Sequence, residues 1–185
     1  AYDHTALLVD ADLRNPCVSK YLGLKPKYGL TDCLAGKADV SDALIKTGIG
    51  KLSVLPAGEL PENPAEILSS EKMKMVVKEM KVRYKDRYVI FDSSPVLAAA
   101  DALSLGNFMD GILLVVQADH TSEKMVSQAV SLIKRYNILG VVLNNMPQVL
   151  AASLCPYYNY NYQYGCKSET VKESVGGNGG ACETE

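Results

Sequence analysis

The chain has 185 residues, 48% apolar and 22% charged, with 19 basic against 21 acidic side chains and a formal net charge of −2. That length accommodates one domain, or one domain with a tail, and the near-neutral balance without a Lys/Arg-rich block excludes a nucleic-acid binder working by bulk charge. The longest apolar run, Ile112–Val116, is too short to cross a bilayer. No charged stretch leading into an apolar leader is visible, and five cysteines without a Cys-x-x-Cys pair point to a reducing compartment rather than to zinc or a disulfide framework.

In chain order, Thr5–Asp10 (TALLVD) reads as a short strand buried on both faces. Leu52–Leu55, Tyr88–Phe91 with Asp92 at its end, Ile112–Val116 and Val141–Leu143 have the same character. Between them, Asn63-Pro64-Ala65-Glu66 is a helix start, with Asn as cap and Pro at the first helical position. Met73, Val76, Val77, Met80 and Tyr84 fall on one helical stripe, the Met residues filling core, with lysines mostly elsewhere. A second stripe, Met125, Ala129, Leu132, Ile133 and Tyr136, follows a candidate cap at Thr121. Strands alternating with helices predict right-handed βαβ units and a doubly wound, mostly parallel α/β sheet. Composition shifts near Pro147, and the division expected is a body over 1–146 and a flexible tail over 147–185. Five of the eleven tyrosines (Tyr157, Tyr158, Tyr160, Tyr162 and Tyr164) stand within eight residues of that tail, between Cys155 and Cys166.

Ligands of open α/β sheets sit beyond the carboxyl ends of the strands. The residues expected there are Asp10, Asp12 and Arg14 after the first strand, Asp92 after a later one and Asn144 after the last. Alternation along an extended segment would let Asp10, Asp12 and Arg14 converge. Gathered carboxylates repel unless a cation such as Mg²⁺ compensates them; otherwise each Asp caps a turn or helix. Arg14 is either a phosphate-facing cation or a salt-bridge partner of Asp12, and Asn144 by itself reads as an Asn in a turn. Asp101, in AAADAL, is either a site acid or an exposed helix residue, and the lone His4 and His120 read as surface residues.

An Asp-x-Asp after an apolar strand also occurs in haloacid-dehalogenase-like phosphotransferases and in nucleotide-sugar glycosyltransferases. The former expect Thr or Val where Arg14 stands and an acidic pair where Asn144-Asn145 stands. The wider arrangement carries further. ALLVDADLRNP resembles the Walker A′ motif, and YVIFDSSPVLAAADAL the Walker B region, of the bacterial tyrosine kinases, autokinases that accompany capsule and exopolysaccharide export. LSVLPAGELPENPAEILSSEKM and DGILLVVQADHTSEKMVSQAVSLIKRYNILGVVLNN are similar in order and spacing, so the resemblance covers residues 5–146.

It implies a P-loop-class domain that uses ATP and Mg²⁺. Asp10, Asp12, Asp92 and Arg14 would be its catalytic residues, Asp10 and Asp92 its metal-holding acids, and Asn144 its adenine reader. The tail tyrosines would be phosphoacceptors, modified between protomers of a homo-oligomer. The implied partners are a membrane-embedded polysaccharide co-polymerase and a protein-tyrosine phosphatase, with no nucleic acid, at the inner face of the cell membrane. Two departures stand out. Asp92 is followed by Ser-Ser-Pro where many relatives carry Thr-Pro-Pro, and no G-x-x-x-x-G-K-[ST] loop occurs in the 185 residues. Truncation of the first strand, that loop and its helix is therefore expected, leaving an inactive fragment. The rival readings are a partition or septum-positioning ATPase, against which the tyrosine cluster argues, and a non-catalytic interaction module.

Overall fold

The structure, a computed structural model, describes residues 5–84 and 87–146. His4, Lys85, the tyrosine cluster and the rest of the proposed tail lie outside the described residues. The elements run β1 (Thr5–Asp10), α1 (Val18–Tyr21), α2 (Leu30–Ala35), α3 (Val40–Ala43), β2 (Ile45–Lys46), β3 (Leu52–Leu55), α4 (Pro64–Ser69), α5 (Glu71–Arg83), β4 (Arg87–Asp92), α6 (Asp101–Gly106), β5 (Ile112–Gln117), α7 (Glu123–Ile133) and β6 (Ile138–Asn144).

Four strands form a sheet in the order β2-β3-β1-β4, and β5 and β6 form a second, two-stranded sheet. All pairs are parallel except the short β2/β3 contact. From β1 the chain steps to β3 on one side and then returns past β1 to β4 on the other. The strand order therefore reverses about β1, the place where open α/β sheets take ligands.

β1 is paired on both sides, and Leu7 and Val9 are 0% exposed. Their register partners Val89 and Phe91 turn to the same core, as do Met73, Val77 and Met80 of α5. That helix begins where the Ser70 hydroxyl accepts Met73 N at 3.1 Å, with Glu71 in its first turn and Lys81 and Arg83 in its last, signs that suit the helix dipole. The Asn63–Pro64 start yields only α4; Asn63 makes no side-chain cap bond, and the chain breaks at Ser70 before α5. The chain after β3 also packs tightly: Leu30 N and Thr31 N donate to the Pro56 and Ala57 carbonyls. A Cβ at Gly29 would stand 2.2 Å from Gly58 N, so that approach requires glycine.

Two sequence expectations change here. Strands buried on both faces describe β1 but not β4, β5 or β6. Ile90, Val115 and Leu139 are 53%, 58% and 69% exposed, because the strand faces that carry them are left largely uncovered among the described residues. The cap of α7 is Ser122, whose hydroxyl accepts Met125 N, rather than Thr121, whose Oγ1 accepts Gln117 N and closes the preceding turn. Ala129 and Ile133 are buried as the stripe requires, whereas Met125 and Leu132 are exposed.

Candidate functional site

β1 and β4 run in register to their ends, so Asp10 stands beside Asp92. The extended backbone stops at Asp10, and the alternation expected to align Asp10, Asp12 and Arg14 ends with it. The chain bends instead into a turn leading to α1, and one Asp12 oxygen shapes that turn: Oδ1 accepts Arg14 N at 3.2 Å and Asn15 N at 3.1 Å. Asp10 is 1% exposed, and its Oδ2 accepts Val18 N, the first amide of α1, at 3.1 Å. Its Oδ1 is buried without a hydrogen-bond partner.

Burial is the main force raising the Asp10 pKa, with the charges of Asp92 and Asp12 adding repulsion against the pull of the Val18 and Asp12 backbone amides. Asp92, although its side chain is exposed, is raised as well, first by partial desolvation at the sheet end and then by Asp12. A buried, repelled carboxylate with an orphaned oxygen is costly for folding alone and suits a ligand that brings positive charge. Two hard carboxylates in adjacent register fit Mg²⁺ by donor type. Among the described residues no group of three or more His, Cys, Asp or Glu side chains is placed to hold a metal.

Arg14 does not pair with Asp12. Its Nε and Nη2 donate to Asp101 Oδ2 at 2.6 Å and Oδ1 at 3.1 Å, a bidentate fork from the turn after β1 to the start of α6. Asp101 is 0% exposed, which removes the exposed-helix reading, while the Arg14 side chain keeps 51% of its surface. The bonds and charge of Asp101 raise the Arg14 pKa. Ser94 Oγ, also buried, lies 2.9 Å from Asp12 Oδ1 and 3.4 Å from Asp101 Oδ2. Asp10, Asp12, Asp92 and Arg14 thus share one strand-end crevice. Asn144 ends β6 on the other sheet; it is exposed, its carbonyl accepts Ala118 N, and no described hydrogen bond joins it to the aspartates.

Sequence reasoning gave Ser94 no role and left Asp101 undecided. The signal available was the Ser-Ser-Pro departure and an acid set in an apolar stretch. Of the remaining candidates, His120 is exposed, and the half-buried Cys33 has its thiol pushed up to about 11, first by burial, which keeps it unreactive.

A parallel α/β sheet with acids gathered where its strand order reverses is an arrangement this chain shares with the P-loop NTPase class. The septum site-determining protein MinD of Pyrococcus horikoshii, solved with Mg-ADP, shares this fold at a TM-score of 0.60 and 23% identity, over 82% of this chain and 65% of that one. No family model matches the chain. Tyrosine-protein kinase YwqD of Bacillus subtilis is 36% identical over 169 residues, covering 90% of this chain and 68% of that protein. The VpsO kinase domain superposes at a TM-score of 0.73 with 31% identity, over 78% of this chain and 72% of the other. The chain belongs to the bacterial tyrosine-protein kinase family.

Proposed function

We propose that this chain is the greater part of a protein-tyrosine autokinase, which transfers the γ-phosphoryl of ATP to Tyr157, Tyr158, Tyr160, Tyr162 and Tyr164 of a neighbouring protomer. The observation that carries the reading is Asp10 in register with Asp92, its Oδ1 buried and unpartnered, within a chain of this family. Mg²⁺ bound there would neutralise charge on the transferring phosphates. Asp10 and Asp92 would hold the ion's water shell, and Asp12 would take the proton of the attacking phenol. A phenol of pKa about 10 is almost wholly protonated at neutral pH, so a nearby base lowers the barrier to attack. Arg14, half exposed while anchored on Asp101, keeps a cationic surface for phosphate.

The phosphate-gripping loop comes, on this reading, from a segment outside these 185 residues that adds a strand against the open edge of β4 or β5. Exposed apolar side chains on those strands and their incomplete pairing support this. The 185 residues alone are then inactive. Phosphates on neighbouring tyrosines bring about −1.5 to −2 charge each and would loosen a tail from an acidic crevice. That cycle is the proposed control over capsule or exopolysaccharide assembly, through a membrane-embedded co-polymerase and a protein-tyrosine phosphatase at the inner face of the cell membrane. Asn144 is retained as the proposed adenine reader.

Calorimetry should find no tight Mg·ATP binding to the 185-residue chain; micromolar affinity would sink the view that the loop comes from elsewhere. With the phosphate-binding segment present, mass spectrometry should find phosphate on Tyr157–Tyr164 and lose it in Asp10→Asn. Phosphorylation that persists in that variant would remove Asp10 from the mechanism.

A further inference from the structure

Ser94 brings a hydroxyl donor to the Asp-Ser-Ser-Pro stretch at the end of β4. It is 4% exposed and lies two residues beyond Asp92, in the segment between β4 and α6. Its Oγ has one proton to give and two carboxylates in reach. Asp101 already receives both of its charge-assisted bonds from Arg14, so the proton goes to Asp12 Oδ1, the closer acceptor at 2.9 Å. Asp12 Oδ1 then collects three donors: the Arg14 and Asn15 amides and the Ser94 hydroxyl. None of the described hydrogen bonds reaches its Oδ2.

One carboxylate is thereby divided between an anchored oxygen and a free one. The two amides come from the turn that Asp12 itself opens, and they fix it only relative to β1. The Ser94 bond spans 82 residues of sequence and ties the same oxygen to the chain leaving β4. A carboxylate otherwise rotates through a broad torsional well. Pinned from both strands, Asp12 keeps a set direction relative to Asp92.

We propose that Ser94 is a positioning residue that aims Asp12, leaving Oδ2 as the atom that accepts the proton of the incoming tyrosine hydroxyl. Asp101 Oδ2, 3.4 Å from Ser94 Oγ and already bonded to Arg14, is the competing acceptor that the Ser94 proton forgoes. The role of Oδ2 rests on the kinase reading; the anchoring of Oδ1 does not.

Two measurements separate these parts. In the 185-residue chain, Ser94→Ala should speed amide hydrogen exchange at Arg14 and Asn15 about tenfold, while Val18, capped by Asp10, stays unchanged and Ser94→Thr restores protection. In the protein that includes the phosphate-binding segment, Ser94→Ala should lower kcat about tenfold with KM for Mg·ATP within about twofold, and Ser94→Thr should recover most of the rate. Unchanged exchange at Arg14 and Asn15 overturns the anchoring. Faster exchange with an unchanged kcat overturns the part assigned to Ser94 in the reaction. Wild-type protein that never phosphorylates tyrosine sinks the kinase reading, and the exchange result then decides alone whether Ser94 holds Asp12.

Discussion

The two sheets carry strands of similar composition in opposite circumstances. TALLVD in β1 and ILLVVQ in β5 are both apolar and six residues long. β1 is hydrogen-bonded on both sides and its Leu7 and Val9 are sealed, whereas β5 has one partner and presents Leu113 and Val115 to solvent. A strand's apolar content states what it could bury; its place in the sheet decides what it does bury. The site candidates follow the same division, Asp10 and Asp92 ending strands of the larger sheet and Asn144 ending one of the smaller. Two strands alone are marginal in water. The β5–β6 pair therefore leans on packing from outside its own ladder, while the acids of β1 and β4 stand on the larger core.

The largest test of this contrast is truncation of one apolar side chain in each sheet. Leu7→Ala should cost about 2–5 kcal/mol in urea unfolding, since it opens a cavity against α5. Val115→Ala should cost no more than about 0.5 kcal/mol, because its side chain is largely in solvent already. Equal losses would mean that β5 is as enclosed as β1.

The acids provide a subtler test. Asp10 and Asp92 have pKa values above the ordinary 3.8, so the folded chain holds protons that the unfolded chain has released. Stability should therefore fall as pH rises from about the ordinary Asp value through the raised values. Asp10→Asn keeps an acceptor for Val18 N without the buried charge. It should unfold at higher urea than wild type at neutral pH, with the advantage shrinking on acidification. A variant less stable than wild type at neutral pH would show that the carboxylate is not strained there.

The smallest effect belongs to the second sheet. Ser122→Ala, which removes the α7 cap, should cost about 1 kcal/mol and Thr121→Ala less, both read from thermal unfolding. The reverse ranking would move the cap back to Thr121.

Five strands were legible because each is a short apolar run, and the first and third end in Asp. α5 was legible because five apolar residues repeat at helical spacing over three turns. The two-residue β2 and the four- to six-residue α1, α2 and α3 offer no run long enough to show a period. Within the site, Asp10 and Asp92 could be placed by their positions at strand ends. The partner of Arg14 could not, because Asp101 lies 87 residues away in sequence. Nor could Ser94, whose hydroxyl acquires meaning only once β4 lies beside β1.

The sequence by itself determined the α/β class, the acids at the strand ends and the family, since these rest on local pattern and ordered motifs. Tertiary structure alone decided which apolar strands are enclosed, that Arg14 serves Asp101 rather than Asp12, and which Asp12 oxygen is left free. The physical reason is that hydrophobic period and strand-end chemistry are written within a few residues. Pairing across a sheet, burial of a charge and the choice a hydroxyl proton makes between two carboxylates depend on neighbours brought together only by the fold.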